Sequence, residues 1–265
     1  MNSRHGQWAV GLLLGSLWTI GSGGLGDSAS AEGSKPSFGP GEKLRYAVRW
    51  RMMPAGEAEL SVGTDSLPGH WTVSAKATSA GYVSNLYTVE DEYTSTFHNA
   101  TFCSKEIRKL INEGDRHREV TVQFDQRRQR AVLRDRDATQ TTAPKQEQFS
   151  IPNCVHDILS ALYYVRTRPL EVGQSFEFAL NDGSPTIQIH AEVQAIEEVQ
   201  TELGKFQAIR VEPDVFSGNL LKGKGRMFVW FTNDANRIPV QLKAQTAIGT
   251  ITATLVGVEQ EDLQP

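Results

Sequence analysis

Hydrophobic and polar residues alternate along most of this chain. In KLRYAVRWR, Leu44, Tyr46, Val48 and Trp50 fall on one side, and Lys43, Arg45, Arg49 and Arg51 on the other. A period of two with aromatic and β-branched residues marks a half-buried strand. EAELSV repeats it with Ala58, Leu60 and Val62, WTVSAKA with Trp71, Val73, Ala75 and Ala77, and REVTVQFD with Val120, Val122 and Phe124. Pro54-Ala55-Gly56 and Pro68-Gly69 read as the turns between the early runs. SFEFAL and TIQIHAEV read as a hairpin with Asn181-Asp182-Gly183 at its tip. Further strands are expected in TELGKFQAIRVEP, GRMFVWF, RIPVQLKA and GTITATLVGV, with TNDAN as a turn. Arg136 to Gln148 is polar and reads as a long loop. About ten to twelve strands at this spacing predict a sandwich or barrel. So many strands need mutual burial or closure to avoid open edges.

One segment departs from the pattern. In CVHDILSALYYVR, Val155, Ile158, Leu159, Leu162 and Arg166 recur at helical spacing, predicting a helix over 155–166. Asn153 is the expected N-cap, Asp157 suits the positive end of the dipole, and Pro169 stops the helix. The expected fold is therefore all-β with one main helix. It is a curved antiparallel sheet or incompletely closed barrel with that helix on its concave face.

The first 31 residues lie outside this pattern. Arg4 precedes an uncharged apolar run, Trp8 to Ile20, and small residues then lead to Ala29-Ser30-Ala31. That order reads as a secretory signal peptide cleaved after Ala31. Residues 32–41 are Gly/Pro/Ser-rich and read as a flexible lead-in, 42–260 as one β-rich domain, and 261–265 as a tail. No cysteine lies near the cleavage point to carry a lipid, and no later run is apolar enough to span a bilayer. The expected product is soluble and periplasmic or otherwise extracytoplasmic. Its net charge of −4 argues against a nucleic-acid surface.

Export changes how the two cysteines are read. An even count in an oxidising compartment favours a Cys103–Cys154 disulfide over two buried thiols. A catalytic Cys154 with His156 and Asp157 is the sharper alternative. Helical residues two apart do not face each other, which argues against it. The histidines are scattered without metal-ligand spacing, and no Gly-rich phosphate loop precedes a helix, so no metal or cofactor is expected. Glu90-Asp91-Glu92 reads as a solvated strand end, and Asp125 to Asp137 as a charged sheet face.

The order of motifs resembles a known bacterial family. GEKLRYAVRW…AGEAEL, CVHDILSALYYVR…PLEVGQ and RMFVWFTNDANRIPVQLKA…GTITATL together are similar to domain of unknown function 3108. The resemblance implies an exported envelope protein with no established reaction. Trp230 to Val240 also resembles the half-barrel lipoprotein carriers, a likeness of fold only. These features support three readings. The first is a non-enzymatic envelope protein holding a lipid or other apolar small molecule, with Leu159, Leu162 and Tyr163 lining the ligand site. The second is a structural protein that binds an envelope partner through its strand edges. The third is a thiol enzyme using Cys154.

Overall fold

A computed structural model describes residues 37–215 and 225–260. The signal peptide and the tail expected from the sequence lie outside these residues, as does the first half of the lead-in, residues 32–36.

Fourteen antiparallel strands form one sheet among the described residues. The first eight are β1 (Glu42–Trp50), β2 (Met53–Thr64), β3 (His70–Ser79), β4 (Glu90–His98), β5 (Ser104–Glu113), β6 (Arg116–Asp125), β7 (Arg130–Asp137) and β8 (Lys145–Ser150). The last six are β9 (Ser175–Leu180), β10 (Ile187–Thr201), β11 (Gly204–Pro213), β12 (Arg226–Thr232), β13 (Pro239–Thr246) and β14 (Gly249–Gln260). Two helices interrupt them, α1 (Gly81–Leu86) after β3 and α2 (Ile158–Arg166) after β8. Consecutive strands pair from β1 to β8 and from β9 to β14, β1 also pairs with β14, and β8 and β9, which do not pair with each other, are the two edges. This is an up-and-down barrel left open at one seam.

The alternation has the expected cause. Leu44 and Tyr46 of β1 are buried, and cross-strand partners Leu60 and Ala58 of β2 pack on the same cluster. The seam between β8 and β9 is bridged by the segment before α2. There the Ser104 amide donates to the Val155 carbonyl (2.9 Å), His156 donates to the Ala179 carbonyl (2.9 Å), and Asn181 donates to the His156 carbonyl (2.9 Å). A disulfide joins Cys103, in the β4–β5 turn, to Cys154 in this segment.

These bonds correct the expected helix. Val155 and His156 are extended because their backbone groups serve the seam, so α2 starts at Ile158. The N-cap is Asp157, not Asn153. Its side chain accepts from the Leu159 and Ser160 amides (2.9 and 3.0 Å), and Ser160 answers with a capping box. Pro54-Ala55-Gly56 lies inside β2 and is not a turn; the chain reverses at Arg51-Met52, where Arg51 has φ 55°. The expected long loop is cut to residues 138–144 by β7 and β8. Asn181 and Asp182 are fully buried, unlike an ordinary hairpin tip.

Helix α2 sits inside the curve of the sheet. Ala161 and Val165 pack with β9–β12 residues such as Phe178, Ile189 and Phe231, and Leu159 and Tyr163 pack with Val62, Val73 and Phe97. The helix is therefore a plug of the concave side, joining cores that the sheet curvature holds apart.

Candidate functional site

The α2 face is filled by protein. Leu159 and Tyr163 are buried against Phe38, Phe97 and Phe102, with the Phe38 and Tyr163 rings 5.6 Å apart. Leu162 is half-buried between two clusters. Burial of this aromatic group accounts for the apolar face without a ligand.

Three buried polar networks tie α2 and its surroundings to the sheet. Glu42 receives two hydrogen bonds from Arg166 (2.6 and 2.7 Å) and one from the Tyr163 hydroxyl (3.3 Å). The Arg166 guanidinium also lies 3.9 Å over the Phe38 ring. Asp157 accepts from the hydroxyls of Ser95 and Ser104, both at 2.6 Å. Lys109 forms an ion pair with Asp182 and donates to the Asp182 carbonyl (3.0 Å). Each charge is met inside the protein, as burial demands. These networks position elements, with Glu42, Asp157, Lys109, Arg166 and Asp182 all buried.

The thiols are bonded to each other, and no cysteine is free among the described residues. His156 donates from Nδ1 to the Phe102 carbonyl (2.9 Å), and its Nε2 lies 3.9 Å from the Cys154 sulfur. Burial pushes its pKa down to about 4, so the imidazole is neutral. A thiolate–imidazole nucleophile needs a thiol that this structure has spent on the disulfide. Among the described residues no three His, Cys, Asp or Glu side chains converge as a metal site. His190 is exposed beside Glu177 and Glu192.

The apolar space lies at the other end of β1, under α1. Val48 and Trp50 of β1, Ala55 and Gly56 of β2, Ala77 of β3 and Ile251 of β14 form its walls, and Val83, Leu86, Tyr87 and Val89 form its roof. Its volume is about 70 Å³. The local backbone makes this room. A register shift between Val48 and Arg49 lets β2 bulge, which turns Ala55 inward and buries it. Gly56 allows the close approach of β3: a Cβ there would stand 2.0 Å from the Thr78 carbonyl oxygen.

The roof is weakly held. Helix α1 has six residues, no side-chain N-cap and no buried residue. It starts from Gly81 in the left-handed region (φ 64°). Helices this short are marginal without packing or caps, so α1 belongs to the least stable part of the fold. Sequence reading missed it because GYVSNL carries neither a cap signal nor an apolar stripe.

A carboxyl pair flanks the roof. Asp91 and Glu113 are both buried, so of the Glu90-Asp91-Glu92 strand end expected to be solvated, Asp91 turns inward while Glu90 stays exposed. Asp91 faces inward on β4 and accepts from the Asn112 amide (2.9 Å); Glu113 bridges to Val89 and meets Arg116 (3.3 Å). Burial, then the Asp91 carboxylate, pushes Glu113 up from 4.5 to about 7. The folded state therefore holds this proton more tightly than the unfolded chain. Its contribution is complete below pH 4.5 and is lost as pH rises through about 7. The thermal midpoint of the wild type should fall across this window, and Glu113→Gln should flatten the fall. Parallel pH profiles for the two proteins would contradict the assignment.

Comparisons extend the reading of the fold. Residues 45–256 match a family described as "Protein of unknown function (DUF3108)". No curated protein matches the chain. A beta-barrel-like protein of domain of unknown function DUF1849 from Brucella abortus is similar in structure, with a TM-score of 0.58 and 8% identity, over 84% of this chain and 98% of that one. A hypothetical protein, CT021, from Chlamydia trachomatis gives a TM-score of 0.36 and 10% identity, over 85% of this chain and 91% of its own. The first of these shares the barrel-like fold. Among the described residues no helix is long and apolar enough to cross a membrane.

Proposed function

The chain belongs to the DUF3108 family, and from that premise we propose that it is a non-enzymatic, exported envelope protein that takes up the end of an apolar chain. The apolar end of an amphipathic molecule would enter the pocket beneath α1. The observation that carries this reading is the pocket itself: almost wholly apolar walls under a helix with little to hold it shut. Its size limits the ligand. About 70 Å³ is well under the roughly 300–1,000 Å³ of sites that enclose a drug-sized molecule. One alkyl end or one bulky side chain suits it, and a fused-ring lipid does not. Export rests on the signal-like residues 1–31, and a stapled seam is in keeping with an oxidising compartment.

Calorimetric titration with a single-chain lysophosphatidylcholine, below its micelle concentration, tests the proposal. One saturable site per chain is expected. Ala55→Phe fills the pocket and should weaken binding at least about tenfold. Val83→Trp, at the half-buried roof, should do the same with less burden on the core. No saturation, or equal binding by folded variants, would contradict it.

A further inference from the structure

The apolar residues left in solvent are unevenly placed. Met52 (81% exposed) and Met53 (39%) lie at the β1–β2 turn, where Met53 pairs with the pocket residue Trp50, and Tyr82 (68%) and Leu86 (58%) lie on α1, the pocket's roof. The other large exposed hydrophobics, such as Leu67, Ile196 and Val258, sit on separate elements. Grouped exposed apolar side chains mark an interaction surface, whereas scattered ones need no explanation.

Two cations flank this group. Arg49 and Arg51 are exposed; Arg49 donates to the Met52 carbonyl (2.7 Å) and Arg51 to the Ile248 carbonyl (3.2 Å). Among the described residues neither is in a salt bridge. Along β2 the nearest acid is Glu57, which is exposed and contributes to the wall of the α1 pocket below the turn. Arg49 and Arg51 are the charged residues of the β1–β2 turn, residues 49–54, in a chain with net charge −4.

We propose that this tip docks on the surface of an anionic membrane. Met52, Met53, Tyr82 and Leu86 enter the boundary between headgroups and acyl chains, and Arg49 and Arg51 meet lipid phosphates. Apolar residues beside arginines are what an interfacial contact requires. Charge complementarity favours this partner over a second copy. A two-fold contact through the tip would set the arginines of both copies together and repel. The inference stands on surface residues and holds whether or not the pocket binds a chain end.

Vesicle flotation tests it with two compositions, phosphatidylcholine alone and phosphatidylcholine with phosphatidylglycerol in equal parts. The wild type should float with the anionic vesicles and lose binding as salt rises. Arg49→Gln with Arg51→Gln should weaken that binding about 30-fold. Met52→Ser with Tyr82→Ser should weaken it also, with thermal midpoints unchanged because all four sites are exposed. Three results would overturn the proposal: no flotation at low salt, equal flotation by either folded double variant, or a concentration-dependent dimer lost in these variants with no vesicle binding. Loss of flotation with intact lysophosphatidylcholine titration would separate this surface from the pocket.

Discussion

Replacing Arg166 with methionine is expected to destabilise the protein by about 3–5 kcal/mol, because it strands a buried carboxylate. Arg166 is fully buried and supplies both strong bonds to Glu42; only the Tyr163 hydroxyl would remain, at 3.3 Å. Glu42 opens β1 and Arg166 closes α2, so the pair ties the helix to the strand where the two halves of the sheet meet. Urea unfolding measures the loss. The double variant Glu42→Leu, Arg166→Met should recover much of it, since apolar replacement of a whole buried ion pair is often neutral or stabilising. A double variant as unstable as the sum of the single changes would show that the pair is not acting as a unit.

Removing the disulfide should be comparably costly. The bridge closes a loop spanning 51 positions, for which the loss of unfolded-state constraint amounts to about 4 kcal/mol. In a domain of this size that lowers the thermal midpoint by about 8–16 °C. The native state should also suffer at the seam, where Ser104 and Val155 bond one residue away from the bridged cysteines. Cys103→Ser, Cys154→Ser or chemical reduction should give the same shift in thermal melting. An unchanged midpoint would mean that the seam's backbone bonds hold the segment without the bridge.

The parts of the fold legible in sequence are those with one-sided burial. Leu44 and Tyr46 face an apolar interior, so period-two alternation identified β1 and its inner face. The α2 stripe was legible for the same reason, but its start was not. Val155 and His156 are apolar or aromatic and fit a helical spacing, yet their backbone partners, Ser104, Ala179 and Asn181, lie far off in the chain. Long-range pairing overrode the local pattern.

Polar residues hid other features. β4, EDEYTSTFH, turns Asp91 and Ser95 inward, where Asn112 and Asp157 meet them; hydrophobic patterning is blind to such satisfied groups. The pocket escaped for a different reason. It depends on a bulge beside Ala55, on the missing side chain of Gly56 and on an uncapped six-residue helix, none of which leaves a periodic signal. The sequence pointed to α2 for the ligand because amphipathic stripes are visible. The structure fills that stripe with Phe38, Phe97 and Phe102, and keeps its apolar space under α1.

Three tryptophans separate these two locations. Trp50 lines the α1 pocket, Trp71 packs in the aromatic cluster beside α2, and Trp230 lies in the core near β13 and β14. Single-tryptophan variants, each keeping one of the three, can be titrated with a lysophosphatidylcholine brominated near the end of its acyl chain. Saturable quenching of Trp50 alone is the predicted result. Quenching of Trp71 in place of Trp50, or of none of the three, would contradict a chain-end site beneath α1.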